Sequence, residues 1–335
     1  MRKLVIILLF FIFLLCENIY SQRTFVTGQY VYDLFLVNPS AAGMNNDCYS
    51  INGYFQKRWI TTDLTPTTQM LTFHKAFPSQ LGIGSWVFND RNGNHHEIGF
   101  QQTFAYGVTL SKTKRREINL LFGLSILGSQ RSIEMSSQEM DGVIDPVIDQ
   151  GTHTGYGINA NAGAMLSINN NWHVGFSITN LFPFTNSLYS KAEEPEIPPD
   201  VNFHIGKVFK IADRNIYLEP LFYYKWNSYM DSRTDINFKV HLPANYSDYT
   251  WWGVLALRRT LDQEWGDNLG FAATAGIIKG GFKVGIECQL GLTRAQDEFG
   301  SAYQLIIGYH FCRDRSKEPF PCSKILEDKH VEGGW

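Results

Sequence analysis

Segment after segment of this chain alternates apolar with polar residues, and a period of two belongs to extended strands with one oily and one wet face. The last such segment, Ser301 to Phe311, reads SAYQLIIGYHF. Tyr303, Leu305, Ile307, Tyr309 and Phe311 share one parity; Gln304, Gly308 and His310 share the other, with Ile306 the apolar exception. A tilted strand of about eleven residues is long enough to cross a bilayer. An aromatic closes it, as is common in the final strand of bacterial outer-membrane barrels, which pairs with the first strand so that no sheet edge faces lipid. An edge strand of a soluble sandwich or a lipocalin-like barrel would account for this one segment equally well, so the rest of the chain has to decide.

Fourteen segments of this kind are predicted, at 48–59, 67–77, 81–90, 97–110, 117–130, 154–168, 172–180, 201–211, 215–228, 233–243, 249–259, 267–278, 281–294 and 301–311. The links after even-numbered strands are short, whereas the long ones, 131–153 and 181–200, follow odd-numbered strands. A membrane barrel has short periplasmic turns and longer outer loops, and an even strand number puts both termini on the turn side. A soluble sandwich has no reason to sort its loops by parity. Tyr106, Trp172, Trp226, Trp252 and Tyr309 lie near strand ends, which suits aromatic girdles at the two interfaces. The expected fold class is therefore all-β, a transmembrane antiparallel barrel of about fourteen strands.

The N-terminus reads as a secretory signal, with Arg2 and Lys3 charged, Leu4 to Leu15 apolar, and Ser21 small before the expected cut at Gln22. Leu15 is bulky for a lipoprotein signal ending at Cys16. The domain reading is 1–21 signal peptide, 22–47 a periplasmic or plug segment, 48–311 the barrel and 312–335 a periplasmic tail, in a protein of the outer membrane with both termini periplasmic. Aromatics at 14%, charged residues at 18% and a formal net charge of -3 do not suggest nucleic acid as a partner. Cys312 and Cys322 are close enough in the tail to form a disulfide in an oxidising compartment.

No motif in the chain has the spacing that catalysis needs, so no enzyme activity, cofactor or metal is expected. Gly82-x-Gly84 and Gly155-x-Gly157 lie inside strand patterns, where small residues relieve packing, rather than at a helix start as a phosphate loop requires. His95-His96 reads as a surface loop without a third ligand. Asp141, Asp145 and Asp149 are four apart, not at the alternate positions of a calcium loop. Loop 181–200, with Pro183, Pro195, Pro198 and Pro199 among acidic residues, is expected to be extended and outside. Lys283, Glu287, Asp235, Lys239, Glu219, Lys225, His204 and His310 are expected to face the lumen, where a mutually satisfied network is favoured over a transport path.

Several ordered pieces go further. Gln29-Tyr30, Leu36, Asn38-Pro39, Ala41-Ala42 and Gly43 resemble the opening Q-Y-x-x-N-x-x-x-x-N-P-A-x-A-G of the PorP/SprF family of type IX secretion system membrane proteins, departing from it at Asp33 and Ser40. Arg58-Trp59, the Asn89-Asp90-Arg91 stretch within Gly84 to Gly93, Val174 to Leu181, Trp252-Gly253 and Ile307 to Phe311 follow in the family's order. The resemblance implies an outer-membrane barrel that works with a secreted cargo, often a large gliding adhesin, through its C-terminal domain, and with other type IX secretion components. It marks Gln29, Tyr30, Asn38, Pro39, Gly43, Arg58, Trp59, Asn89 and Asp90 as candidate partner-binding residues. A channel or transporter for small or hydrophobic solutes is the other reading.

Overall fold

The computed structural model describes residues 28–44, 48–58, 65–77, 79–113, 116–135, 151–169, 171–182, 198–211, 216–227, 232–244, 249–260, 268–291 and 300–312. The signal segment, Trp59, the three spaced aspartates, most of loop 181–200 and the tail with Cys322 lie outside them. Fifteen strands form one antiparallel sheet: β1 (Cys48–Lys57), β2 (Thr67–Ala76), β3 (Leu81–Asn92), β4 (His95–Lys112), β5 (Glu117–Met135), β6 (Gly151–Ile168), β7 (Trp172–Thr179), β8 (Asp200–Lys207), β9 (Phe209–Ile211), β10 (Ile216–Asn227), β11 (Arg233–Pro243), β12 (Tyr249–Thr260), β13 (Asn268–Lys279), β14 (Phe282–Leu290) and β15 (Ala302–Cys312). Each pairs with its sequence neighbour, and β15 pairs with β1 over ten positions, which closes the sheet. Both β8 and β9 pair with β10, so together they make one wall strand and the barrel has fourteen. The break falls at Val208, whose backbone N–H leaves the ladder and donates to the Asn171 carbonyl at 2.9 Å.

The two mouths differ. One carries tight connections: Gly280 and Gly281, both at positive φ, turn β13 into β14, and Gln80 and Asn169 take the same left-handed conformation in the β2–β3 and β6–β7 turns. A two-residue turn with positive φ at both positions matches the right-handed twist of the strands it joins, and glycine adopts it without strain. The other mouth carries the long connections, alongside a tight turn at Gly93-Asn94 and a five-residue link from β10 to β11. We call these the turn mouth and the loop mouth. At the loop mouth β5 and β6, of 19 and 18 residues, stand above β7, which pairs with β6 only over Ala162–Ile168: at about 3.3 Å per residue, β5 is more than twice as long as the eight-residue β7.

The alternation sorts as expected. On β5 Leu124 is 65% exposed on the outer wall, and the neighbouring Ser125 is buried inside. On β15 Tyr303, Leu305, Ile307 and Phe311 face outward, Gln304 is buried, and the exception Ile306 is fully buried on the lumen side. Ile306 belongs to the apolar core, and that core sits inside the barrel. It joins Tyr54, Met70, Trp86, Phe88, Leu121, Met165, Leu221 and Trp252 of the wall to Tyr30, Val31, Phe35, Leu36, Val37, Ala41 and Ala42 of the N-terminal segment. Trp252 thus corrects the girdle assignment. Its neighbour Trp251, 58% exposed, is the outward ring, because adjacent residues of a strand cannot face the same way.

Candidate functional site: a plug through the lumen

Residues Gln29 to Gly43 run through the barrel as three short 3-10 turns, η1 (Gln29–Val31), η2 (Leu34–Leu36) and η3 (Pro39–Gly43). Local chemistry explains the form. The Asp33 carboxylate accepts from the Phe35 backbone N–H at 3.2 Å and caps η2. The Asn38 side chain accepts from the Ser40 N–H at 3.1 Å, and Pro39 sits at the first position of η3, where its missing N–H would have no partner anyway.

The segment has a direction. At the loop mouth Gln29 donates to Gln304 of β15 at 2.8 Å and to Gln56 of β1 at 3.5 Å, and the Arg58 Nε donates to the same Gln56 oxygen at 3.3 Å. Gly28 lies against the guanidinium of Arg258, near the end of β12. At the other end Gly43 rests on Ala105 and Gly82, the latter the second residue of β3 at the turn mouth. The plug therefore runs from loop mouth to turn mouth and leads directly into β1.

Between these ends it touches every wall strand. Tyr30 donates to Asp235 of β11 at 2.5 Å, accepts from Asn237 at 3.1 Å and stacks on Tyr223 of β10 with centroids 4.2 Å apart. Tyr32 bonds Thr274 of β13 and Glu287 of β14 and meets Trp252 of β12 edge-on at 5.6 Å. Asp33 accepts from Asn52 of β1 at 3.0 Å and Thr72 of β2 at 2.7 Å, with His74 at 3.5 Å. The Ser177 hydroxyl of β7 donates to the Val37 carbonyl at 2.6 Å. The Asn38 amide donates to the Ala164 carbonyl of β6 at 3.3 Å and to His204 of β8 at 3.1 Å.

Where the plug comes closest, the wall is glycine. A Cβ on Gly82 would lie 2.5 Å from Gly43 and one on Gly84 2.5 Å from the Phe35 ring; on Gly123 it would fall on the Pro39–Ser40 backbone, and on Gly163 on the Asn38 side chain. These notches run across β3, β5 and β6 and form a seat for η2 and η3. Gly82 and Gly84 lie inside a strand, as the pattern implies, and the packing they relieve is against the plug. Two neighbouring glycines make room for wall histidines: His204 fills the space beside Gly175, together with the Asn38 amide of the plug, and His173 the space beside Gly206, its cross-strand partner.

The wall charges are paired. Lys239 meets Glu219 at 3.0 Å, Arg233 meets Asp235 at 2.5 Å, Arg258 meets Glu287 at 3.4 Å, Arg131 meets Glu97 at 2.9 Å and Lys225 meets Asp200 at 3.7 Å. All ten side chains are mostly buried, which a low-dielectric interior tolerates only when charges are compensated. Lys283 lies over the Tyr32 and Trp252 rings at 5.3 and 4.9 Å, and His310 reaches Ser50. The expected lumen residues thus face the lumen and form a network. Among the described residues no cluster of His, Cys, Asp and Glu has a geometry that could hold a metal ion.

Of the candidate partner-binding residues, Gln29, Tyr30, Asn38, Pro39 and Gly43 are brought together, but on the plug and fully buried. Arg58, Asn89 and Asp90 lie toward the loop mouth; Asp90 accepts from Thr68 at 2.5 Å, and Asn89 donates to Gln69 at 3.3 Å and pairs with His96. His95-His96, expected in a loop, opens β4. Tyr32, Asp33 and Phe35 carry as much of the plug's contact as the motif residues. The signal that could have found their seat is the column of glycines on the lumen parity.

The fold is a closed antiparallel barrel with an apolar outer wall. Similar solved structures include the CymD monoaromatic hydrocarbon channel (TM-score 0.49, 8% identity, covering 88% of this chain and 94% of that one) and the Ralstonia pickettii toluene transporter TbuX (TM-score 0.46, 10% identity, 83% and 92%). CdiB from Acinetobacter baumannii is also similar, at a TM-score of 0.42 and 8% identity; 79% of this chain is covered but 60% of that one. Comparison with curated protein sequences gives no match. The family model described as type IX secretion system membrane protein PorP/SprF matches residues 19–309.

Proposed function

The chain belongs to the PorP/SprF family of type IX secretion system membrane proteins, and from that premise we propose that it is a plugged partner barrel rather than a conduit. It assists export or surface anchoring of a secreted protein, such as a large gliding adhesin, through that protein's C-terminal domain, alongside other components of the same system, and it carries out no chemistry of its own. The observation that carries this reading is the plug. A segment that touches every wall strand, sits in glycine notches and shares in a buried charge network leaves the barrel's surfaces, not its lumen, for work.

With the turn mouth in the periplasm, as short turns imply, β15 ends in the periplasm. The plug's Gly28 end then opens to the outside, where the raised edge of β5 and β6 gives cargo a wall to lean on.

The runner-up is a solute channel, favoured by the charged lumen parity. Purification of the tagged protein from native outer membranes in mild detergent, with every co-purifying chain identified, tests the two. A secreted protein at near-equal amount supports the partner barrel. A barrel that comes out alone even after crosslinking, and conducts in planar bilayers, overturns it.

A further inference from the structure

We propose that the barrel's seam is closed covalently, by a disulfide between Cys48 and Cys312. Cys48 is disulfide-bonded and buried. It is the first residue of β1, and Cys312, the last residue of β15, is its Cα partner in the register that closes the barrel. Directly opposed residues of an antiparallel pair share a face and bring their Cβ atoms to about 4.5–5.5 Å, near the separation a disulfide needs. Cys288 is free and sits on β14 opposite Tyr303, far from the base of the seam. Cys16 leaves with the signal peptide. That leaves Cys312 and Cys322 as partners, and the register selects Cys312. This pairing takes the place of the sequence-based one of Cys312 with Cys322, and disulfide mapping distinguishes the two.

The bond forms by oxidation of two thiols. Both sulfurs lose a proton, and the two electrons pass to the disulfide of an envelope thiol oxidoreductase, which leaves as a dithiol. The protein then contains one covalent ring, running from Cys48 around the wall to Cys312, and its own N-terminal segment threads that ring. Two properties follow. The β1–β15 seam cannot part at its base, and the plug, enclosed by the ring, can leave only lengthwise.

The test is disulfide mapping of the full chain from native outer membranes. Free thiols are blocked with one alkylating reagent, and the protein is then reduced and labelled with a second. Expected is a linked peptide pair carrying Cys48 and Cys312, with Cys288 and Cys322 bearing the first reagent. In unreduced, boiled gel samples Cys322→Ser should keep the mobility of the native chain, while Cys48→Ser and Cys312→Ser should shift to the position of the reduced chain. A Cys312–Cys322 or Cys48–Cys322 link, or all four thiols blocked at the first step, overturns the proposal. The mapping needs no substitution, so it decides even if a serine variant fails to assemble.

Discussion

At a glycine of the barrel wall the decisive question is what a methyl group would meet. On Gly123 it meets the Pro39–Ser40 backbone, which cannot swing aside; on Gly128 it meets nothing within 4 Å. Gly123→Val should therefore unseat η3 and destabilise the folded barrel by about 1–3 kcal/mol or more, and Gly128→Ala should stay within about 0.5 kcal/mol. Thermal unfolding followed on heat-modified gels compares the two, and equal melting of both variants would refute the notch. Tyr30→Phe removes the donor to buried Asp235 and the acceptor of Asn237. Leaving those groups short of a partner should cost about 1–3 kcal/mol, read by the same measurement. This scale was only half legible in the sequence. The motif led to Gln29, Tyr30 and Asn38, but period-two reading treats glycine as neutral, so the notches at Gly82, Gly84, Gly123 and Gly163 looked like ordinary strand glycines. Trp252 was misjudged for a related reason: closeness to a strand end does not tell which of two adjacent tryptophans faces lipid.

The strands were the most legible level, because a wall with lipid on one side and a wet or charged lining on the other imposes alternation on every segment. The extent of β11 agrees with its sequence reading at both ends, and β5 and β6 overrun theirs at the loop mouth because strands that rise beyond the bilayer no longer need an apolar face. The interruption at Val208 was invisible: one backbone amide that turns to Asn171 leaves no mark on side-chain pattern. On β5, Leu124→Arg puts a charge on the lipid face and should lose about 2–4 kcal/mol if that position lies at the bilayer midplane; folding into vesicles of known composition, titrated with denaturant, measures it. The plug is an element too. The intact protein should conduct poorly in planar bilayers, and a variant lacking residues 28–44 should conduct markedly better. Equal conductance would mean that the segment does not fill the lumen.

For the whole molecule, the sequence led correctly to a closed barrel, but left open whether the segment before it packs under the barrel or fills it, and did not give the direction in which that segment runs. Alternation and loop parity describe the wall and carry no information about a non-repeating stretch inside it. An epitope placed just before Gly28 should be reached by antibody on intact cells, whereas one placed after Cys312 should be reached only once the outer membrane is permeabilised. The reverse pattern would invert the orientation proposed above. The plug also orders events in time. It precedes every strand in the chain, yet Gln29 bonds Gln304, 275 positions later. Contacts between such distant residues form slowly, so the first part of the protein to be made waits longest for its partners. If the strands close around the segment as hoops close around a mandrel, a chain without that mandrel should refold more slowly than the intact chain, and an equal rate would show that the barrel can find its own circumference.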